Sequence, residues 1–215
     1  KEIIVKKNKL MLEYDNKYGD LPNTQSSMIE YLIGILNKSS KKKKKTKKSI
    51  INEMNRIRKI KWKSYKFTIF LVPKATPRAR LGMNNIFYVA GASDNKRIFR
   101  EFMKEHPHDI ISTPMKYNIN VYLPTPTSLK IEDRILAEYG FIRPLSKPDF
   151  DNVAKTYADM IQGNLIIDDA LIIESHIAKY YSIKPRIEIS IEYMEEHDSD
   201  FNKDKIDKKI MKGNI

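Results

Sequence analysis

Apolar and polar residues alternate most cleanly near the end of the chain. In RIEISIEY, Ile187, Ile189, Ile191 and Tyr193 are separated by Glu188, Ser190 and Glu192. This period of two predicts a strand with one buried face. MKYNINVYLP repeats the pattern, with Tyr117, Ile119, Val121 and Leu123 on one side and Asn118 and Asn120 on the other. KFTIFLV predicts a third strand, with Phe67, Ile69 and Leu71 on one face and an end at Pro73. The basic stretch PKATPRARLG then reads as an extended loop, and NNIFYVAG as an arm of a hairpin. Helical spacing governs NKRIFREFMKE, with Ile98, Phe102 and Met103 facing in. It also governs NVAKTYADMIQG, where Asn152 suits the N-cap and Gly163 the stop. Val153, Tyr157, Met160 and Ile161 form the apolar face of that helix. A polar insert, Thr125 to Arg143, holds a short helical pattern in IEDRILAEYG, and IIDDALIIESHIAKYY reads as a turn entering a strand. From Lys66 the order is β, hairpin, α, β, α, β, β. It predicts an α/β (α+β) fold, a mixed β-sheet with packed helices.

The first third of the chain differs. MIEYLIGILN is helical in pattern, with Ser26 and Ser27 as caps, and INEMNRIRKIKW reads as a second, basic helix. Between them lies SSKKKKKTKKS, a block of like charge that solvation favours over packing. Residues 1–64 carry 18 Lys+Arg against 6 Asp+Glu, whereas residues 65–215 carry 22 against 21. The basic excess therefore belongs to the extension, and such a field attracts polyanions such as nucleic acid or an acidic membrane surface. The expected division is a basic, mainly helical extension at 1–64, a folded domain at 65–195 and a polar tail at 196–215. Ile206 and Ile210 are available to anchor a last short helix in that tail. Cysteine is absent, which excludes disulfides and thiolate metal sites. His106 and His108 fall in a polar turn and read as surface residues. No apolar run approaches the length of a membrane span, and no signal-peptide core follows the first lysines. The expected setting is cytoplasmic.

Candidate chemistry concentrates in KPDFDN and IIDDA. Asp149 and Asp151 lie two residues apart, and Asp168 and Asp169 follow. If Asp149 is extended, it and Asp151 point the same way at the mouth of the following helix, where the helix dipole favours negative charge. A divalent cation would offset the repulsion among them, since Mg²⁺ takes one or two carboxylates with water and phosphate oxygens. The alternative is capping and turn chemistry, which Asp and Asn also supply. Lys155 lies four residues from both Asp151 and Asp159, so it suits either an exposed helix pair or a contact with a substrate phosphate. An EF-hand loop is excluded, because Val153 and Ala154 stand where an oxygen ligand and a glycine are needed.

Taken together, KPDFDNVAKTYADMIQG, IIDDALIIESHIAKYY and the strand RIEISIEY resemble the RusA family of Holliday junction resolvases. The resemblance runs from about Lys66 to Tyr193, with VPKATPRARLG resembling the family's N-terminal half. It implies a homodimeric, Mg²⁺-dependent endodeoxyribonuclease, with Mn²⁺ as an alternative ion, that cuts four-way junctions in DNA recombination and repair. The implied metal-binding and catalytic aspartates are Asp149, Asp151 and Asp169, with Asp168 as the adjacent acid and Lys155 as the functional lysine. Glu174 and Lys179 match positions that are acidic and basic in the family. Arg78, Arg80, Lys147 and Lys179 are the expected DNA contacts, in support of the lysine run. The extension, the insert at 125–143 and a slightly shorter connection to the Asp pair depart from the family pattern. The Lys-, Ile- and Asn-rich composition suits a phage or prophage gene. Two other functions fit the same residues: a non-catalytic DNA-binding module with a structural acidic cluster, and a flap or fork nuclease of the same fold.

Overall fold

The computed structural model describes residues 31–34, 46–74 and 92–211. The hairpin arm NNIFYVAG, Arg78, Arg80 and Lys41 to Lys45 lie outside these residues. The chain divides into two compact units, Lys1–Lys59 and Ile60–Ile215.

In the first unit, residues 31–34 are helical and helix α1 spans Lys47–Arg58. Its start is a capping box in which Thr46 accepts from the Ser49 amide at 3.1 Å and Ser49 Oγ accepts from the Thr46 amide at 3.0 Å. Ile50, Met54 and Ile57 recur at helical spacing and are half-buried, while the basic residues are exposed. The helix stops at Arg58. Trp62, expected at the end of this helix, instead opens a strand.

The second unit is built on four strands in the order β1-β4-β2-β3: β1 Trp62–Ile69, β2 Met115–Pro124, β3 Ile172–Ser182 and β4 Arg186–Met194. β4 is antiparallel to both β1 and β2, and β2 is parallel to β3, so the mixed sheet expected from the sequence is present. β1 starts four residues before the expected strand and ends before Phe70, because its ladder follows β4 from Met194 to Ile187. Phe67 pairs with Ile189, which pairs in turn with Ile119, and Ile119 with Ile177. This register puts the whole apolar set on one face.

Helices cover that face. Helix α2, Ala92–Glu105, contributes Phe99, Phe102 and Met103 at i, i+3 and i+4. Phe99 is fully buried, with its ring 5.5 Å from Phe67, whereas Ile98, expected to face in, is exposed. Helix α3, Ile131–Glu138, lies in the insert. Its Glu138 carboxylate accepts from Ser182 Oγ and the Ile183 amide, both at 2.8 Å, which ties the insert to the end of β3. Helix α4, Phe150–Ile161, buries Val153, Tyr157, Met160 and Ile161 as its pattern requires. Gly163 adopts φ +78°, a left-handed conformation suited to glycine where the chain leaves the helix. The last helix, α5 at Asp200–Met211, buries Ile206 in the same core while Ile210 stays half-exposed. His108 is half-buried rather than a surface residue: its ring is 4.4 Å from Tyr65 and its Nε2 3.4 Å from the Tyr193 hydroxyl. No helix among the described residues is long and apolar enough to cross a membrane.

Ile119 is central in this core, and Tyr117 beside it carries a buried hydroxyl with no hydrogen-bond partner among the described residues. In urea unfolding, Ile119→Ala should therefore lose about 2–5 kcal/mol through the cavity it leaves. Tyr117→Phe should be neutral or gain about 1 kcal/mol, because it removes only an unsatisfied oxygen.

Candidate active site

Helix α4 begins earlier than its sequence pattern suggests. The N-cap is Asp149, not Asn152. Asp149 is extended at φ −67°, ψ 149°, and its carbonyl accepts from the Val153 amide at 3.0 Å, closing the first turn. Its side chain makes no capping bond. Asp151 is therefore already helical, so the two carboxylates do not share a strand face. They follow the diverging directions of an N-cap and a first-turn residue.

The loop entering α4 is held from β3. Lys179 Nζ donates to the carbonyls of Ser146 and Pro148, both at 3.0 Å. The Lys179 carbonyl accepts from Arg143 Nε at 2.7 Å, and the Arg143 guanidinium lies 3.6 Å from the Tyr180 ring centroid. The Lys147–Pro148 peptide is cis, and the Lys147 side chain is exposed. Lys179 thus touches the backbone that delivers Asp149, a role its place in the sequence did not suggest.

After α4 the chain turns back through Leu165. Ile111 donates to the Leu165 carbonyl at 2.8 Å, and Ile167 donates to the Ile111 carbonyl at 3.0 Å. This clasp delivers Asp168 and a short 3₁₀ turn, Asp169–Leu171, to the head of β3. The return sets Asp169 beside α4. Asp151, Lys155 and Asp169 line one open depression whose remaining walls include Tyr117, Phe150, Ala154, Ala158 and Ile177. Lys155 Nζ also pairs with Asp159 at 3.3 Å, with Lys155 largely exposed, so the helix pair and the place beside the acids coexist.

Asp168 is engaged differently from its neighbour. Its Oδ1 accepts from the Ala170 amide at 2.8 Å and its Oδ2 pairs with Lys209 of α5. Burial raises the Asp168 pKa, but the Lys209 and Ala170 hydrogen bonds, the Lys209 charge and a side-chain hydrogen bond with Asp169 outweigh it and hold the carboxyl below its ordinary value. Glu174 points to the opposite face of β3 from the depression and pairs with Lys116 at 3.1 Å. Tyr157 lies beneath α4 with its pKa pushed up to about 12 by burial, offset in part by the Lys74 amide that donates to its hydroxyl at 3.2 Å.

Among the described residues no three acidic or histidine side chains gather closely enough to form a complete protein cage for a metal. The donor set at the depression is two carboxylates, Asp151 and Asp169, with Asp149 at the start of the same helix. That set fits Mg²⁺, which keeps several waters and is bound through one or two carboxylates plus substrate phosphate. Asp168, committed to Lys209 and Ala170, does not add to it.

A mixed sheet with a parallel β2–β3 crossover, and an acid pair with a lysine at the crossover helix, define a candidate nuclease domain. Residues 71–192, more than half the chain, match the family described as Endodeoxyribonuclease RusA. The chain belongs to that family. It is also 29% identical over 133 residues to "Uncharacterized protein YqaN" of Bacillus subtilis (strain 168), covering 59% of this chain and 94% of that protein.

The Asp168–Lys209 pair has a sign in acid. A folded-state pKa below the unfolded value adds stability at higher pH that is lost as pH falls through the folded value. Lys209→Met removes the Lys209 hydrogen bond and charge that lower it and leaves the Ala170 amide in place. The variant should show a shallower fall in urea midpoint between roughly pH 5 and 2 than the parent protein. An unchanged acid limb would show that the pair contributes nothing.

Proposed function

We propose that the chain is a Mg²⁺-dependent, structure-specific endonuclease that resolves four-way DNA junctions in recombination and repair, acting as a homodimer. The observation that carries this reading is the convergence of Asp151, Asp169 and Lys155 on one open depression within a RusA-family domain. Asp151 and Asp169 are the residues that would hold the ion; Asp149, at the N-cap of the same helix, does not line the depression. When bound, Mg²⁺ supplies Lewis-acid polarisation of the phosphate and a lowered pKa for a coordinated water.

The chain's own residues do the rest. The Lys155 ammonium stabilises the negative charge that grows on the phosphate oxygens as a water oxygen bonds to phosphorus and the bridging P–O bond breaks. Asp159 holds that ammonium along the stripe of α4 that Asp151 shares. Lys179, through Ser146 and Pro148, fixes the loop that carries Asp149. Lys147, exposed at the mouth of the loop, joins Arg78, Arg80 and the lysine run in gripping phosphates without reading sequence. Two copies related by a two-fold axis present two such sites, which suits symmetric incision of a junction.

Asp151→Asn should lower Mg²⁺-dependent incision of a synthetic four-way junction by at least about a hundredfold, the scale of losing one charge-stabilising group, while junction binding persists. Retained incision would overturn the assignment. Binding by the parent protein without incision of any branched substrate would favour a non-catalytic module, and preference for flaps or forks would redirect the substrate. Lys179→Met separates bracing from phosphate contact. A brace predicts slower incision with an unchanged salt dependence of junction binding, whereas a lost phosphate contact lowers the salt slope by about one.

A further inference from the structure

The depression beside the acids is not lined as a phosphate and a cation alone would require. Much of its wall is carbon: Tyr117, Phe150, Ala154, Ala158, Ile172 and Ile177. Along α4, Phe150, Ala154 and Ala158 form one stripe at i, i+4 and i+8, and Asp151 and Lys155 form the stripe beside it. The alanines are small enough to leave a hollow between helix and strand. Phe150 stands at its edge with 67% of its surface exposed. A single exposed phenylalanine is unremarkable in itself. This one lies between Asp149 and Asp151 and shares a hollow with Asp151, Lys155 and Asp169.

The volume is about 370 Å³ and the hollow is open on one side. That lies at the lower end of the range for small-ligand sites, so it suits one flat ring system of a larger molecule rather than a length of strand. Resting on the nuclease reading above, we propose that this hollow receives a single unstacked nucleobase of branched DNA, with Phe150 as its stacking wall, beside Lys155 and the carboxylates of Asp151 and Asp169. The selectivity follows from opposing energies. Stacking a base on an aromatic ring is favourable and tolerates any sequence, because every base presents a π-face. Removing a base from intact duplex costs a comparable amount, and much less where it is already unpaired. A branch point thus gains the contact almost freely, whereas continuous duplex gains little. The site would select structure over sequence at the position where the strand is to be cut.

The test is a binding cycle on the full chain, without Mg²⁺ so that incision plays no part. The parent protein, Phe150→Ala and Phe150→Trp are titrated by anisotropy against a four-way junction and matched duplex. The junction series carries an abasic site walked through the branch-point nucleotides one at a time. Phe150→Ala should weaken junction binding roughly 5- to 100-fold, the stacking of one base on one ring, with little change on duplex, and Phe150→Trp should restore it. At one abasic position the parent protein and Phe150→Ala should bind alike, since the base that Phe150 touches is gone. Equal binding by parent and Phe150→Ala on every junction would overturn the proposal. So would an equal loss on junction and duplex that no abasic position removes; a changed elution volume would then mark Phe150 as a contact between copies. Urea midpoints of the three proteins separate either result from misfolding. Failure of this cycle with Mg²⁺-dependent incision intact sinks only the base site. A positive cycle without incision by the parent protein sinks only the nuclease reading.

Discussion

The parallel pairing of β2 with β3 is the constraint on which this domain depends. Two adjacent parallel strands cannot be joined by a tight turn, so the chain must cross the face of the sheet and return. The crossover here carries α3 and α4. The apolar stripe of α4 decides where it lies: Val153, Tyr157, Met160 and Ile161 have to bury, and the face that receives them displays Tyr117, Ile119 and Val121. Once α4 is seated there, its first two turns and the head of β3 face each other across a short gap. The candidate site lies in that gap.

Around it, charge is managed by separate small devices. Asp168 is neutralised by Lys209 from the last helix, and in the same act its other oxygen caps the 3₁₀ turn that presents Asp169. Lys155 is steadied by Asp159 one turn further along. Lys179 spends its hydrogen bonds on backbone carbonyls of the entering loop. Lys209 and Asp168 come from elements forty-one residues apart and Lys179 and Pro148 from elements thirty-one apart, so the local geometry of the acid pair rests on long-range contacts. The basic excess that attracts polyanions is kept apart in residues 1–64, leaving the body nearly neutral and able to concentrate carboxylates.

Much of this was legible in the residues. The alternation in β2 and β4 marked their buried faces correctly, because a two-sided strand with one apolar side has only one way to pack. The face of α4 was equally clear. The motif that spans Asp149 to Asp169 led to the family. The errors lie where local pattern is ambiguous. IKW continues a helical run as readily as it opens a strand, and only the ladder to β4 decides. Ile98 and Phe99 both fit an inward phase, and the larger ring takes the core. Asn152 is as good a cap as Asp149 by type, so residue type alone starts α4 three residues late and leaves Asp151 in a strand's direction.

What the sequence determined by itself was therefore the class of the sheet and its inward faces, since each is written in residue type and spacing along a single element. What the tertiary structure decided was where each acid sits. Asp168 and Asp169 are adjacent and identical in type, and no periodicity separates them. Lys209 reaches one and leaves the other beside Asp151. Phe150 is likewise an ordinary helix residue until the return of β3 makes a hollow next to it. Contacts between distant elements carry that information, and no local pattern contains them.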